Sequence, residues 1–286
     1  ETQRYWNIIN QLLDNSNELQ AVNLINQSIQ MGFDFDKILD TYVGIKDGQE
    51  FLNATHYYNR LQNYVDSAQY LTPSCFPDLN YLIRENDLDC IDNIQDKMFL
   101  NFLKKYGNSL EEYSMNEILL DQNGDIIFDS NLSDSFFNKY VTMIEKDGQK
   151  KYLYNENFLE AMCYDKPYFL TTNPDLISDQ LLSTIENPEE KEFWTFIKGS
   201  NIIYSSVFFE LRAINGYDTS LYEFLNNYTN IVEINSEKKR LPNVEFLRTY
   251  IAYERPNLLN NVNIIFTKEL LDSFTPVDKF FWERFL

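Results

Sequence analysis

The chain holds a single histidine, His56, in 286 residues. That excludes a multi-histidine metal centre and leaves one imidazole for acid–base work. Its position, nearly opposite the apolar stripe of its helix, directs it to solvent or a neighbouring groove. Glycine is scarce, with eight residues. No two are spaced as G-x-G-x-x-G or G-x-x-x-x-G-K-[ST], so the backbone loops that wrap dinucleotide or nucleoside phosphates are missing. The three cysteines, Cys75, Cys90 and Cys163, are an odd number at no metal-ligand spacing, which fits a reducing compartment and buried thiols. Long apolar runs are lacking too. The most apolar stretch, Ile202 to Ile214, is broken by Ser205, Ser206, Glu210 and Arg212, short of the about 20 residues that a bilayer span requires. The first residues, Glu1 to Trp6, show neither a basic nor an apolar leader region. The expected location is intracellular, in the cytoplasm.

What is abundant is acid. Forty-four Asp and Glu face 24 Lys and Arg, for a formal charge of −20, and the compact basic cluster is Lys238-Lys239-Arg240. Phosphate-tracking surfaces need basic side chains gathered on one face, so direct nucleic-acid binding is not expected. An acidic surface keeps the chain soluble and favours basic protein partners. Asn, Ile, Tyr, Phe and Asp are frequent, the residue bias of an AT-rich coding genome.

The apolar spacing reads as mainly α, a compact multi-helix domain with a small β element. Phe51, Ala54, Tyr58, Leu61, Val65 and Ala68 form one helical stripe. Val22, Ile25 and Ile29 mark a helix stopped by Gly32, and Phe35, Ile38, Leu39 and Tyr42 one stopped by Gly44. Ile91, Ile94, Met98 and Phe102 follow, with Gly107 beyond, and Ser109-Leu110-Glu111-Glu112 reads as a capping box. Two apolar runs flanking Asn123-Gly124 predict a β-hairpin near 118–128. Helical spacing returns at Phe137, Tyr140, Val141 and Ile144, breaks at Asp147-Gly148, and resumes at Phe158, Leu159 and Met162. Asn173-Pro174, Asn187-Pro188 and Thr275-Pro276 are helix starts. Short strands are expected near 231–234 and 262–266. No self-similar period emerges, so the chain reads as a single domain over 1–286, with a subdivision into a helical 1–117, a β-containing insert at 118–154 and a helical 155–286 as the alternative.

No catalytic constellation stands out. The carboxylates supply the metal candidates: Asp34-Phe35-Asp36 and Asp87-Leu88-Asp89 have the D-x-D spacing by which sugar-nucleotide-dependent glycosyltransferases hold a divalent cation, although Asp34 equally suits a helix N-cap. Asp121, Asn123 and Asp125 present oxygens at alternate positions as calcium loops do, but with Gly at the fourth place and no terminal bidentate Glu. No cofactor is implied beyond such a cation. Among 45 aromatic residues, Phe280, Phe281, Trp282 and Phe285 form the candidate docking surface.

The expected function is that of a non-enzymatic scaffold or interaction protein, meeting a protein partner through an acidic and aromatic surface. Two alternatives remain: a metal-assisted carbohydrate-active enzyme, of the D-x-D or carboxylate-pair kind, and an acidic decoy or immunity-type inhibitor of a basic site.

Overall fold

The computed structural model describes residues 18–32, 41–68, 76–121, 123–200, 220–249 and 267–285, with Ile8, Asn10 and Phe209. The fold is mainly α, with three two-stranded antiparallel hairpins. The chain divides into two compact units, Glu1–Lys139 and Tyr140–Leu286.

In the first unit, α1 (Glu18–Gln30) precedes a hairpin of β1 (Val43–Lys46) and β2 (Gln49–Leu52). Then come α2 (Ala54–Ser67), α3 (Leu79–Leu82), α4 (Glu85–Cys90), α5 (Ile94–Tyr106) and α6 (Glu112–Leu119), and α7 (Ser130–Tyr140) ends at the boundary. Its core gathers Tyr57, Leu61, Leu79, Phe99, Phe102 and Phe136, all essentially sealed from solvent. The second unit opens with β3 (Val141–Lys146) and β4 (Gln149–Tyr154), followed by α8 (Glu156–Asp165), α9 (Phe169–Thr172), α10 (Asp179–Thr184), α11 (Pro188–Gly199) and α12 (Leu221–Tyr228). The hairpin of β5 (Thr229–Ile234) and β6 (Glu237–Pro242) leads into a helix over residues 244–249. The last described α-helices are α13 (Lys268–Asp272) and α14 (Pro276–Trp282), followed by a 3-10 turn at Glu283–Phe285.

Two of the three hairpins, β1–β2 and β3–β4, stand where the sequence spacing predicts helix. Each of the three closes through two residues with positive φ: Asp47 and Gly48 at 54° and 77°, Asp147 and Gly148 at 55° and 74°, Asn235 and Ser236 at 53° and 66°. Two central residues of that kind define the turn whose twist matches antiparallel strands, which is why Asp-Gly and Asn lead there. Gly44, expected to end a helix, lies inside β1, where the ring of Phe51 leaves no room for a Cβ. Val141 and Ile144, expected in a helix, belong to β3. The strand near 231–234 falls within β5, and residues 262–266 lie outside the described residues.

No strand pairing occurs at 118–128 among the described residues. Ile118 and Leu119 form the buried last turn of α6, so the expected first strand is already spent as helix. Asp121 and Asp125 close a tight turn, the Asp121 amide donating to the Asp125 carbonyl at 2.9 Å. The chain beyond it is held by a side chain in place of a second strand: the Phe128 amide donates to Gln62 Oε1 at 2.9 Å. The capping box at Ser109 also fails to form. Its hydroxyl donates to the Tyr106 carbonyl inside a 3-10 turn, and α6 starts after Glu111 with no side-chain capping bond.

Candidate functional site

A repeated module, which the sequence reading did not find, organises the chain. Each hairpin is preceded by a helix ending in tyrosine, Tyr42, Tyr140 or Tyr228, and followed by an asparagine, Asn53, Asn155 or Asn243. In all three, the asparagine amide donates to the tyrosine carbonyl at 2.9 Å, closing the base of the hairpin. Each asparagine then caps the next helix: its Oδ1 accepts from the amide of His56 at 3.1 Å, Phe158 at 3.2 Å or Phe246 at 3.0 Å. A carboxamide suits both ends because it also carries donors. Nδ2 of Asn53 donates to the Thr41 carbonyl at 2.8 Å and that of Asn243 to the Asn227 carbonyl at 2.9 Å.

The module continues beyond the hairpin. Asn93-Ile94-Gln95-Asp96-Lys97-Met98-Phe99-Leu100, Asn187-Pro188-Glu189-Glu190-Lys191-Glu192-Phe193-Trp194 and Thr275-Pro276-Val277-Asp278-Lys279-Phe280-Phe281-Trp282 share an acid–Lys–x–Phe core at one place. These are the first turns of α5, α11 and α14, and Asn93, Asn187 and Thr275 cap them through side-chain oxygens. The unit recurs about every 90–100 residues, too long and too divergent for a solenoid period. A tetrapeptide, Lys-Asp-Gly-Gln, occurs at 46–49 and again at 146–149; it was the legible trace of the repeat.

His56 therefore holds the place of Phe158 and Phe246. It is 1% exposed, which corrects its expected solvent-facing position. The stripe beginning at Phe51 placed the face wrongly because Phe51 belongs to β2, and the buried side of α2 carries His56, Tyr57, Tyr58, Arg60 and Leu61. Burial, reinforced by the nearby Arg84 guanidinium, pushes the imidazole pKa down to about 4.

Among the described residues, the candidate metal ligands do not converge. Asp87 is 3% exposed; its Oδ2 accepts from the Tyr57 hydroxyl at 2.5 Å and from Arg84 Nε at 2.7 Å. Burial and the bond to Asp87 raise the Tyr57 pKa. Asp89 lies exposed, 3.7 Å from Lys97. Asp34 and Asp36 lie outside the described residues. In the loop at Asp121, Oδ1 accepts from the amides of Asn123 at 2.8 Å and Asp125 at 2.9 Å, bonds that hold this carboxyl below its ordinary pKa. Among the described residues, no group of three or more His, Cys, Asp or Glu side chains is arranged to hold a metal ion, and no helix is long and apolar enough to cross a membrane. Arg240, part of the basic cluster, is engaged within its own unit: its guanidinium binds Glu192, with Nη1 at 3.0 Å from Asn226 and 2.9 Å from Thr229.

The C-terminal aromatic residues separate into two roles. Trp282 is 3% exposed, whereas Val277, Phe280 and Phe281 are 79%, 61% and 53% exposed. Spacings of three and four put these three on one helical face. The Arg284 guanidinium lies 4.4 Å from the Phe280 ring centroid, and Phe281 meets Trp282 edge-on at 5.0 Å. The side chain of Phe285 is outside the described set. No family model, no curated protein and no solved structure matches this chain.

Proposed function

We propose that this protein is a non-enzymatic interaction scaffold of three related modules, which meets a protein partner through the apolar face of α14. The observation that carries this reading is the adjacent exposure of Val277, Phe280 and Phe281 on one helical face. Full burial of such side chains stabilises a complex by about 1.5–3 kcal/mol each, and large rings are effective anchors. Further support comes from the polar groups: Asp87 is occupied by Tyr57 and Arg84, and Asp121 by its own loop. The net charge of −20 over the chain favours a basic partner.

The test places a photo-crosslinking amino acid at position 280 of the intact chain and exposes it to extract of the source organism. A discrete adduct that disappears when Val277 and Phe281 become serine is the expected result. An adduct pattern identical to that from a crosslinker at Ile127, an exposed residue elsewhere, sinks the reading.

A further inference from the structure

In each module the helix that follows the hairpin and the helix that opens on the acid–Lys–x–Phe core meet at the same two positions. The first lies five residues after the hairpin asparagine, at Tyr58, Glu160 and Arg248, and the second is the third residue of the later helix, Asp96, Glu190 and Asp278. The Tyr58 hydroxyl donates to Asp96 Oδ1 at 2.6 Å, and the Ser133 hydroxyl joins it at 2.7 Å. In the third module Arg248 Nη2 lies 3.8 Å from Asp278 Oδ1. Both of these joints are attractive. In the second module each position holds glutamate, and Glu156, one turn before Glu160 on α8, adds a further carboxylate close enough to act on Glu190.

The charges that the other neighbours of α11 carry are turned elsewhere. Lys198 pairs with Asp179 of α10 at 2.5 Å, Arg240 of β6 binds Glu192, and the one charged residue of α12, Glu223, is exposed. Glu190 itself is bonded to the side chain of the α11 cap, Asn187.

We propose that the joint between α8 and α11 is an acid-tightened latch of the second module. With both carboxyls ionised, Glu160 and Glu190 push the two helices apart. On acidification one carboxyl takes a proton from solvent and donates it to the other, filling the place that a hydroxyl and a guanidinium fill in the sister modules. Two carboxylates at one site cannot both ionise freely, and an O–H···O⁻ bond is short and strong. Burial, and then the charges of Glu156 and Glu160, hold Glu190 above its ordinary pKa of 4.5. With the native value raised, the folded chain binds the proton before the unfolded one. The penalty is therefore full at neutral pH and is relieved as pH falls toward 4.5. The device works within one unit and does not depend on the partner proposed for α14.

Hydrogen exchange of the full chain tests this through the protection factors of the α8 amides at pH 7.5 and pH 4.5, compared with those of Glu160→Gln. His56 and the other titrating groups are common to both proteins and cancel. The wild type is expected to be about 1.5- to 5-fold less protected than Glu160→Gln at pH 7.5, with the gap closed or reversed at pH 4.5 and narrowed by about 1 M salt. Glu190→Gln breaks the joint from the other side and is expected to do the same; circular dichroism confirms that each variant is folded. Carbon-13 titration of the Glu190 carboxyl gives a readout that a merely structural role would not move, a pKa that falls in Glu160→Gln. A ratio of wild type to variant that is the same at both pH values, or a Glu190 titration unmoved by Glu160→Gln, overturns the latch. So does an effect produced by Glu156→Gln in place of Glu160→Gln, because the module joint is then not its source.

Discussion

Tyr42 and His56 meet edge-on, their ring centroids 6.0 Å apart and their planes at 76°, and Tyr140 and Phe158 repeat the contact at 6.4 Å and 75°. The lone histidine thus fills a phenylalanine position in the core. His56→Phe is expected to fold normally. The free imidazole pKa is 6.5 and the folded value about 4, so the unfolded chain takes up the proton first as pH falls. The histidine contribution to stability is complete above about pH 6.5 and is lost progressively toward pH 4, about 3 kcal/mol in all. Chemical denaturation at pH 8 and pH 5 checks this: the wild type weakens between them more than His56→Phe does. Equal weakening removes His56 as the cause.

The asparagine that closes each hairpin serves two helices. Asn53→Ala or Asn243→Ala is expected to cost about 1–2 kcal/mol, from loss of the cap and of the Nδ2 bond to the preceding helix. Asn→Asp keeps the capping oxygen and recovers part of that loss. Urea midpoints of the wild type and the two variants at each site decide it: equal behaviour of Asp and Ala would count against the cap, and full recovery by Asp against the second bond.

Ser236 sits at φ 66° in the third hairpin turn, where the other two have Gly48 and Gly148. Non-glycine residues in this region carry a steric cost, so Ser236→Gly is expected to stabilise by about 0.5–1 kcal/mol. Gly48→Ala at φ 77° is expected to destabilise by a similar amount. Differential thermal melts report both signs.

Arg240 ties the third hairpin to Glu192 and Asn226 and also bonds Thr229 at its base. Its side chain is 9% exposed and that of Glu192 39%, which places the pair between surface and interior. Arg240→Lys loses the fork that reaches all three acceptors, and a loss of about 1–3 kcal/mol is expected. Hydrogen exchange of the β5 and β6 amides localises the effect; unchanged protection there refutes it.

Phe99→Ala and Phe193→Ala are expected to cost about 3–5 kcal/mol through lost burial and cavity formation. The equivalent Phe281→Ala, at an exposed site, is expected to cost under about 1 kcal/mol. Denaturation of the three variants compares one module position in two environments.

The sequence by itself determined the helical class and several helix ends. Asn187-Pro188 and Thr275-Pro276 cap helices as their letters require, because capping is a local bargain between one side chain and the next turn. Turn chemistry is equally local: Asp147-Gly148 breaks the helical spacing, and Lys-Asp-Gly-Gln recurs at 46–49 and 146–149. Only the tertiary structure decided what those turns join. A hairpin of four- to six-residue strands contains too few letters to distinguish Val141 and Ile144 from a helical face, and pairing with a partner strand resolves the ambiguity. Burial was decided at the same level. Phe99, Phe193 and Phe281 share one local motif, and their exposure differs because packing partners come from distant parts of the chain. Asp87 and Arg240 likewise each take one decisive partner, Tyr57 and Glu192, from 30 and 48 positions away, contacts that no periodicity encodes.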